Sequence, residues 1–128
     1  HDGITRTPNT AWNTSINENS DWLPAKDPCT LLLGSGWRLP TGTEWETTDD
    51  TGGWDNYNET FTSILKLNAS GLLLSSNGSL VNRGSYGLYW SISQYGPDNG
   101  RNLGVGSGYS GMGVSNKASG RSVRCLRD

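Results

Sequence analysis

The apolar residues of this chain fall in short runs, broken by glycine, asparagine, serine and threonine. The clearest pattern lies at 86–93, where Leu88, Trp90 and Ile92 alternate with Tyr89, Ser91 and Ser93. A period of two puts the two sets on opposite faces of a β-strand. Leu72-Leu73-Leu74 and Ser79-Leu80-Val81 flank Asn77-Gly78 and predict a hairpin. Weaker strands are predicted at 101–105 and 113–115, and a last strand at 122–127. Thr41-Gly42-Thr43-Glu44 fits a capping box, with Trp45 pointing the following helix inward. That helix is expected to be short, because 47–53 has poor propensity and ends in two glycines. A second short helix is expected over 58–67, with Phe61, Ile64 and Leu65 on one side. Leu31-Leu32-Leu33 is a short apolar run closed by Gly34-Ser35-Gly36, and 37–41 reads as extended up to Pro40. Residues 1–28 are polar and irregular, with Trp12 and Trp22 as anchors and Pro8, Pro24 and Pro28 interrupting regular structure. Short helices early and antiparallel strands late make one α+β domain over 1–128, with 1–11 as an irregular N-terminal arm.

Composition adds to this picture. The chain has 128 residues, enough for one domain, and only 32% are hydrophobic. Six Trp and five Tyr compensate, since each buries a large area and few of them build a small core. Eighteen glycines among so many Ser, Asn and Thr exclude a helical bundle or coiled coil. The net charge is −2, with 10 basic against 12 acidic residues, so no basic block points to nucleic acid. No window approaches the roughly 18 apolar residues of a membrane-spanning helix.

Cys29 and Cys125 are the two cysteines. The single histidine is His1, so the clustered ligands of a metal site are missing. The preferred reading is a disulfide, which would staple a small polar domain and imply an oxidising, extracellular or cell-surface setting. Two separate buried thiols are the alternative. The start at His1-Asp2-Gly3 reads as that of a mature product or an excised part of something longer. Sequons stand at Asn13, Asn58, Asn68 and Asn77, and they matter only in a eukaryotic secretory host.

Catalytic chemistry finds little support. No serine lies in a nucleophile-elbow context, and Glu44 and Glu46 face different ways on a helix. The chain is therefore expected not to be an enzyme. Asp98-Asn99 could offer two oxygens to calcium, but Gly96-Pro97-Asp98-Asn99-Gly100 is strong turn chemistry by itself. No cofactor is expected. The most unusual segment is 94–116, which holds seven glycines, two charges and a scatter of Tyr, Ser and Asn. Tyr gives rigid amphipathic area, while Ser, Asn and Gly give adaptable hydrogen bonding, as in a binding-loop palette.

Asp27-Pro28-Cys29, Gly36-Trp37-Arg38-Leu39-Pro40-Thr41, Glu44-Trp45, Leu65-Lys66-Leu67, Gly78-Ser79-Leu80, Gly87-Leu88-Tyr89-Trp90-Ser91 and 122–128 occur in this order. Together they resemble the Fibrobacter succinogenes major paralogous domain family, from about residue 12 to the end. The resemblance implies a C-type-lectin-like fold: two short helices, a small twisted antiparallel sheet and long loops, with the termini close together. It also implies a Cys29–Cys125 bridge, secretion or surface display in bacteria, and a ligand face in the long loop region before the last strand. The Glu-Pro-Asn and Trp-Asn-Asp motifs of calcium-dependent sugar binding are absent. Trp54-Asp55-Asn56 carries similar letters in another order.

The expected function is an adhesin-like module that recognises a glycan or protein on another cell or surface through a loop face over 93–116. Its expected contacts are Tyr95, Asn99, Arg101, Asn102, Tyr109 and Asn116. No nucleic acid and no direct membrane insertion are expected. One alternative is a receptor-binding protein diversified by a retroelement. That reading follows from the mixture of Ile92 with Tyr, Ser, Gly and Asn that adenine mutagenesis of asparagine codons would leave. Another is a structural fibre-tip or self-assembling domain within a larger surface protein. A third, an enzyme of the formylglycine-generating type, would require a reactive thiol.

Overall fold

The computed structural model describes residues 12–128, so the expected arm at 1–11 and His1 lie outside the described residues. Asp27 opens α1 (Pro28–Leu33): its carboxylate accepts from the amides of Cys29 and Thr30, and Pro28 needs no partner at the first position. The leucine run is thus helical, and Leu31, Leu32 and Leu33 are exposed. β1 (Trp37–Arg38) pairs antiparallel with β7 (Leu126–Arg127), bringing the last residues beside the first strand.

The capping box forms as the sequence predicts. The Glu44 amide donates to Thr41 Oγ1 at 3.1 Å, and the Thr41 amide donates to Glu44 Oε2 at 2.8 Å. The helix it starts, α2 (Gly42–Gly52), is longer than expected. Tertiary contacts override the poor propensity of its second half. Ser110 Oγ donates to Asp49 Oδ1, and the Trp54 ring lies against Gly52, where any Cβ would collide with it. The helix ends at Gly53 in the left-handed region, φ 58°.

The second helix corrects the sequence reading. α3 (Tyr57–Thr62) begins and ends early, because Ser63 turns extended and its hydroxyl bonds the Thr60 carbonyl at 2.6 Å. Phe61 and Ile64 therefore point to solvent, Ile64 being 93% exposed, while Leu65 and Leu67 turn inward. β2 (Leu72–Leu73) and β3 (Leu80–Val81) form the expected hairpin around Asn77-Gly78. Asn77 Oδ1 accepts from the Ser79 amide at 2.9 Å, and Gly78 sits at φ 74°.

The main sheet is β4 (Gly87–Tyr95), β5 (Asn99–Gly106) and β6 (Tyr109–Asn116) in that order, all antiparallel. The consecutive residues Tyr89 and Trp90 feed two cores on opposite faces. Tyr89 joins Trp45, Leu67, Leu103 and Val105 beneath α2. Trp90 joins Leu39 and Cys29, with Trp22, Ile92 and Cys125 packed around them. The Cys29–Cys125 disulfide is present, with Cα atoms 5.5 Å apart.

After β6 the chain crosses the Trp90 face of the sheet to reach the far side of β4. There Ser122 donates to the Leu88 carbonyl and accepts from the Trp90 amide. On the way, the Arg121 guanidinium lies 5.8 Å from the centre of the Trp90 ring. The expected last strand over 122–127 shortens to β7, because Cys125 turns aside into the disulfide and Val123 is exposed.

Candidate functional site

The expected loop face over 93–116 is for the most part sheet. Only the turns at 96–98 and 107–108 interrupt the strands, and β5 and β6 stay in unbroken register from Asn99↔Asn116 to Gly106↔Tyr109. The glycines explain why composition misleads here. Gly100, Gly104, Gly106, Gly111 and Gly113 share one face of the sheet, so the large side chains beside them can lie flat on backbone. A Cβ on Gly100 would stand 3.0 Å from the Trp90 ring, and one on Gly106 would stand 2.8 Å from the Tyr86 ring.

The register sorts the six expected contacts. Tyr95, Asn99 and Asn116 form one rung across the three strands, and Arg101 pairs with Val114 on the same face. Arg101 and Val114 are exposed, and Asn99 and Asn116 are half-buried. Tyr95 is 55% exposed, with the Arg101 guanidinium 5.7 Å from its ring centre. Arg101 also passes over the start of α2, since a Cβ on Gly42 would lie 3.1 Å from its Cδ. There the Gly42 amide donates to Ser93 Oγ at 2.9 Å. Four of the six residues thus make one polar, aromatic patch, and Val114 is a fifth member that sequence reading missed.

Asn102 and Tyr109 do not belong to it. Asn102 is 1% exposed on the opposite face, where its Nδ2 donates to Ser115 Oγ at 2.8 Å, so it cannot meet a ligand as the sequence reading expected. Alternation along β5 places it there, between the outward Arg101 and the core residue Leu103. Tyr109 stands at the other end of β6, seven residues or about 24 Å from Asn116. Its ring stacks on Tyr86 with centres 6.3 Å apart, and its hydroxyl donates to the Gly111 carbonyl at 2.9 Å. Burial and the nearby Asp49 push its pKa up.

The turn Gly96-Pro97-Asp98 forms as expected, with Gly96 at φ 73°. Both cysteines are bridged, so the chain has no thiol. Sequence reading also missed a cleft of about 430 Å³ beside α2, lined by Thr47, Thr51, Trp54 and Leu65, with the exposed Ile64 at its rim. Nothing in the local pattern marks it, because it opens where α3 stops short of its expected length.

Comparison with protein-family models, with curated proteins and with solved structures yields no match for this chain.

Proposed function

We infer that this chain is a non-catalytic extracellular binding module of C-type-lectin-like kind, which holds a glycan or protein ligand against the face formed by Tyr95, Asn99, Arg101, Val114 and Asn116. The observation that carries the reading is the gathering of an exposed tyrosine, an exposed arginine and two asparagines on one side of a stapled sheet. Tyrosine and arginine are the residue types that most often anchor interfaces, and asparagine adds hydrogen bonds to sugar hydroxyls or peptide groups. The disulfide supports an oxidising compartment. Binding to a glycan array and to intact cell surfaces tests the reading. Tyr95→Ala and Arg101→Ala should each lower binding at least tenfold, and Tyr109→Ala should leave the ligand contacts in place. Equal binding by all three variants would overturn it.

The exposed leucines of α1 favour a second reading, in which the chain is a structural part of a larger or self-associating assembly. Size-exclusion chromatography separates the two: a monomer at micromolar concentration speaks against self-assembly, and an oligomer that dissociates on Leu32→Lys supports it.

A further inference from the structure

Lys117 is the first residue after β6 and is 7% exposed. Its ammonium has no carboxylate partner among the described residues. Nζ donates to the Glu18 carbonyl and to Gln94 Oε1, both at 2.6 Å, and to the Pro97 carbonyl at 3.0 Å, with the Gly96 carbonyl at 3.4 Å. Of the acidic side chains around this cage, that of Glu18 is engaged by Lys26 at 3.0 Å, that of Asp21 accepts from the Gln94 amide at 2.7 Å, and that of Asp98 follows Pro97 in the turn. Three backbone carbonyls and one amide oxygen thus stand where the hydration shell of the ammonium would be.

A buried charge requires such replacement of its water. Neutral carbonyl rings perform it for monovalent cations, whereas calcium sites draw on carboxylates. The same oxygens bind together segments distant in sequence. The Glu18 amide donates to the Pro97 carbonyl at 3.0 Å, and the Lys117 amide donates to the Asp98 carbonyl at 2.9 Å.

We propose that Glu18, Gln94, Gly96 and Pro97 form a monovalent-cation site filled by the chain's own Lys117 ammonium, and that the site accepts a free alkylammonium ion once that side chain is shortened. The resident ammonium fixes the β4–β5 turn to the segment around Glu18, as a bound metal ion would. Tyr95 and Asn99 flank that turn, so the cage sets their positions. This last consequence rests on the functional reading above, and the cage itself does not.

The test uses Lys117→Ala, which n-propylammonium complements atom for atom. The variant should lose about 5–10 °C in Tm, since emptying the cage strips these oxygens of their donor. Hydrogen exchange at the Glu18 amide should quicken at least tenfold. Millimolar n-propylammonium chloride should reverse both changes, and n-propanol or tetrapropylammonium should not. Wild-type exchange in the variant, or equal rescue by n-propanol, would overturn the proposal. Should Lys117→Ala fail to fold, Lys117→Met keeps the apolar stem without the charge. It should show the same faster exchange at Glu18, and full protection there would overturn the proposal. Because exchange at Glu18 is read without any ligand, failure of the cage and failure of the binding face are distinguished.

Discussion

Leu39 donates its amide hydrogen to Asp27 Oδ2 at 2.9 Å, while Oδ1 of the same carboxylate accepts from Cys29 at 2.7 Å. One buried side chain therefore caps α1, fixes the turn that presents Cys29, and receives the strand entering Pro40. Asp27→Ala leaves these donors unpaired in the interior and should cost about 2–4 kcal/mol, as read by urea unfolding. A loss below 0.5 kcal/mol would show that water replaces the carboxylate.

The disulfide closes a loop across 96 residues of sequence separation. In the chain-entropy description a closure of that length is worth about 4–5 kcal/mol. Cys29→Ser with Cys125→Ser should lower the unfolding free energy by a comparable amount and lower Tm with it, and dithiothreitol should give the wild type the same Tm as the double variant. Reduction without effect would place the stability in the two tryptophan cores alone.

Glu44 receives two bonds from the Arg38 guanidinium, both at 2.7 Å, and this charge holds its pKa at about 2, below its ordinary 4.5. A carboxylate whose pKa falls on folding adds stability that is full above pH 4.5 and is lost as the pH drops from 4.5 toward 2. The wild type should lose Tm across that window, and Glu44→Gln should show a flatter profile there with a lower Tm at neutral pH. Glu44 is partly exposed, so salt should shrink the difference.

The two tyrosines should behave differently. Tyr95→Ala should leave Tm within about 2 °C of wild type, because its ring covers no core residue. Tyr109→Ala removes the ring that stacks on Tyr86 and lies over Gly104, and should cost about 1–2 kcal/mol. Thermal denaturation of the two variants side by side decides it.

Features held by a few neighbouring residues were legible in the sequence: the capping box at Thr41 and Glu44, the hairpin at Asn77-Gly78 and the alternation through Leu88, Trp90 and Ile92. What escaped depended on distant contacts. α2 continues past its poor formers because Ser110 and Trp54 hold its second half. α3 stops where Ser63 bonds back to Thr60, which a helical period cannot register. The glycines of 94–116 read as freedom, yet they serve close packing under Trp90 and Tyr86. The strand register brings Tyr95, Asn99, Arg101 and Asn116 to one face and turns Asn102 inward, a sorting the sequence does not carry because side-chain alternation fixes a residue's face only once the register is known.

The unbroken pairing of β5 with β6 has a consequence for how such a surface could change over generations. Ladder bonds run through amides and carbonyls and are indifferent to the side chains that project from them. The outward positions of Arg101 and Val114, which face each other across that pairing, can therefore be rewritten in charge, size and shape while the buried rows beneath keep the same spacing. A frame of this kind uncouples the capacity to fold from the chemistry of its outward row, so a new surface need not begin with damage to the frame.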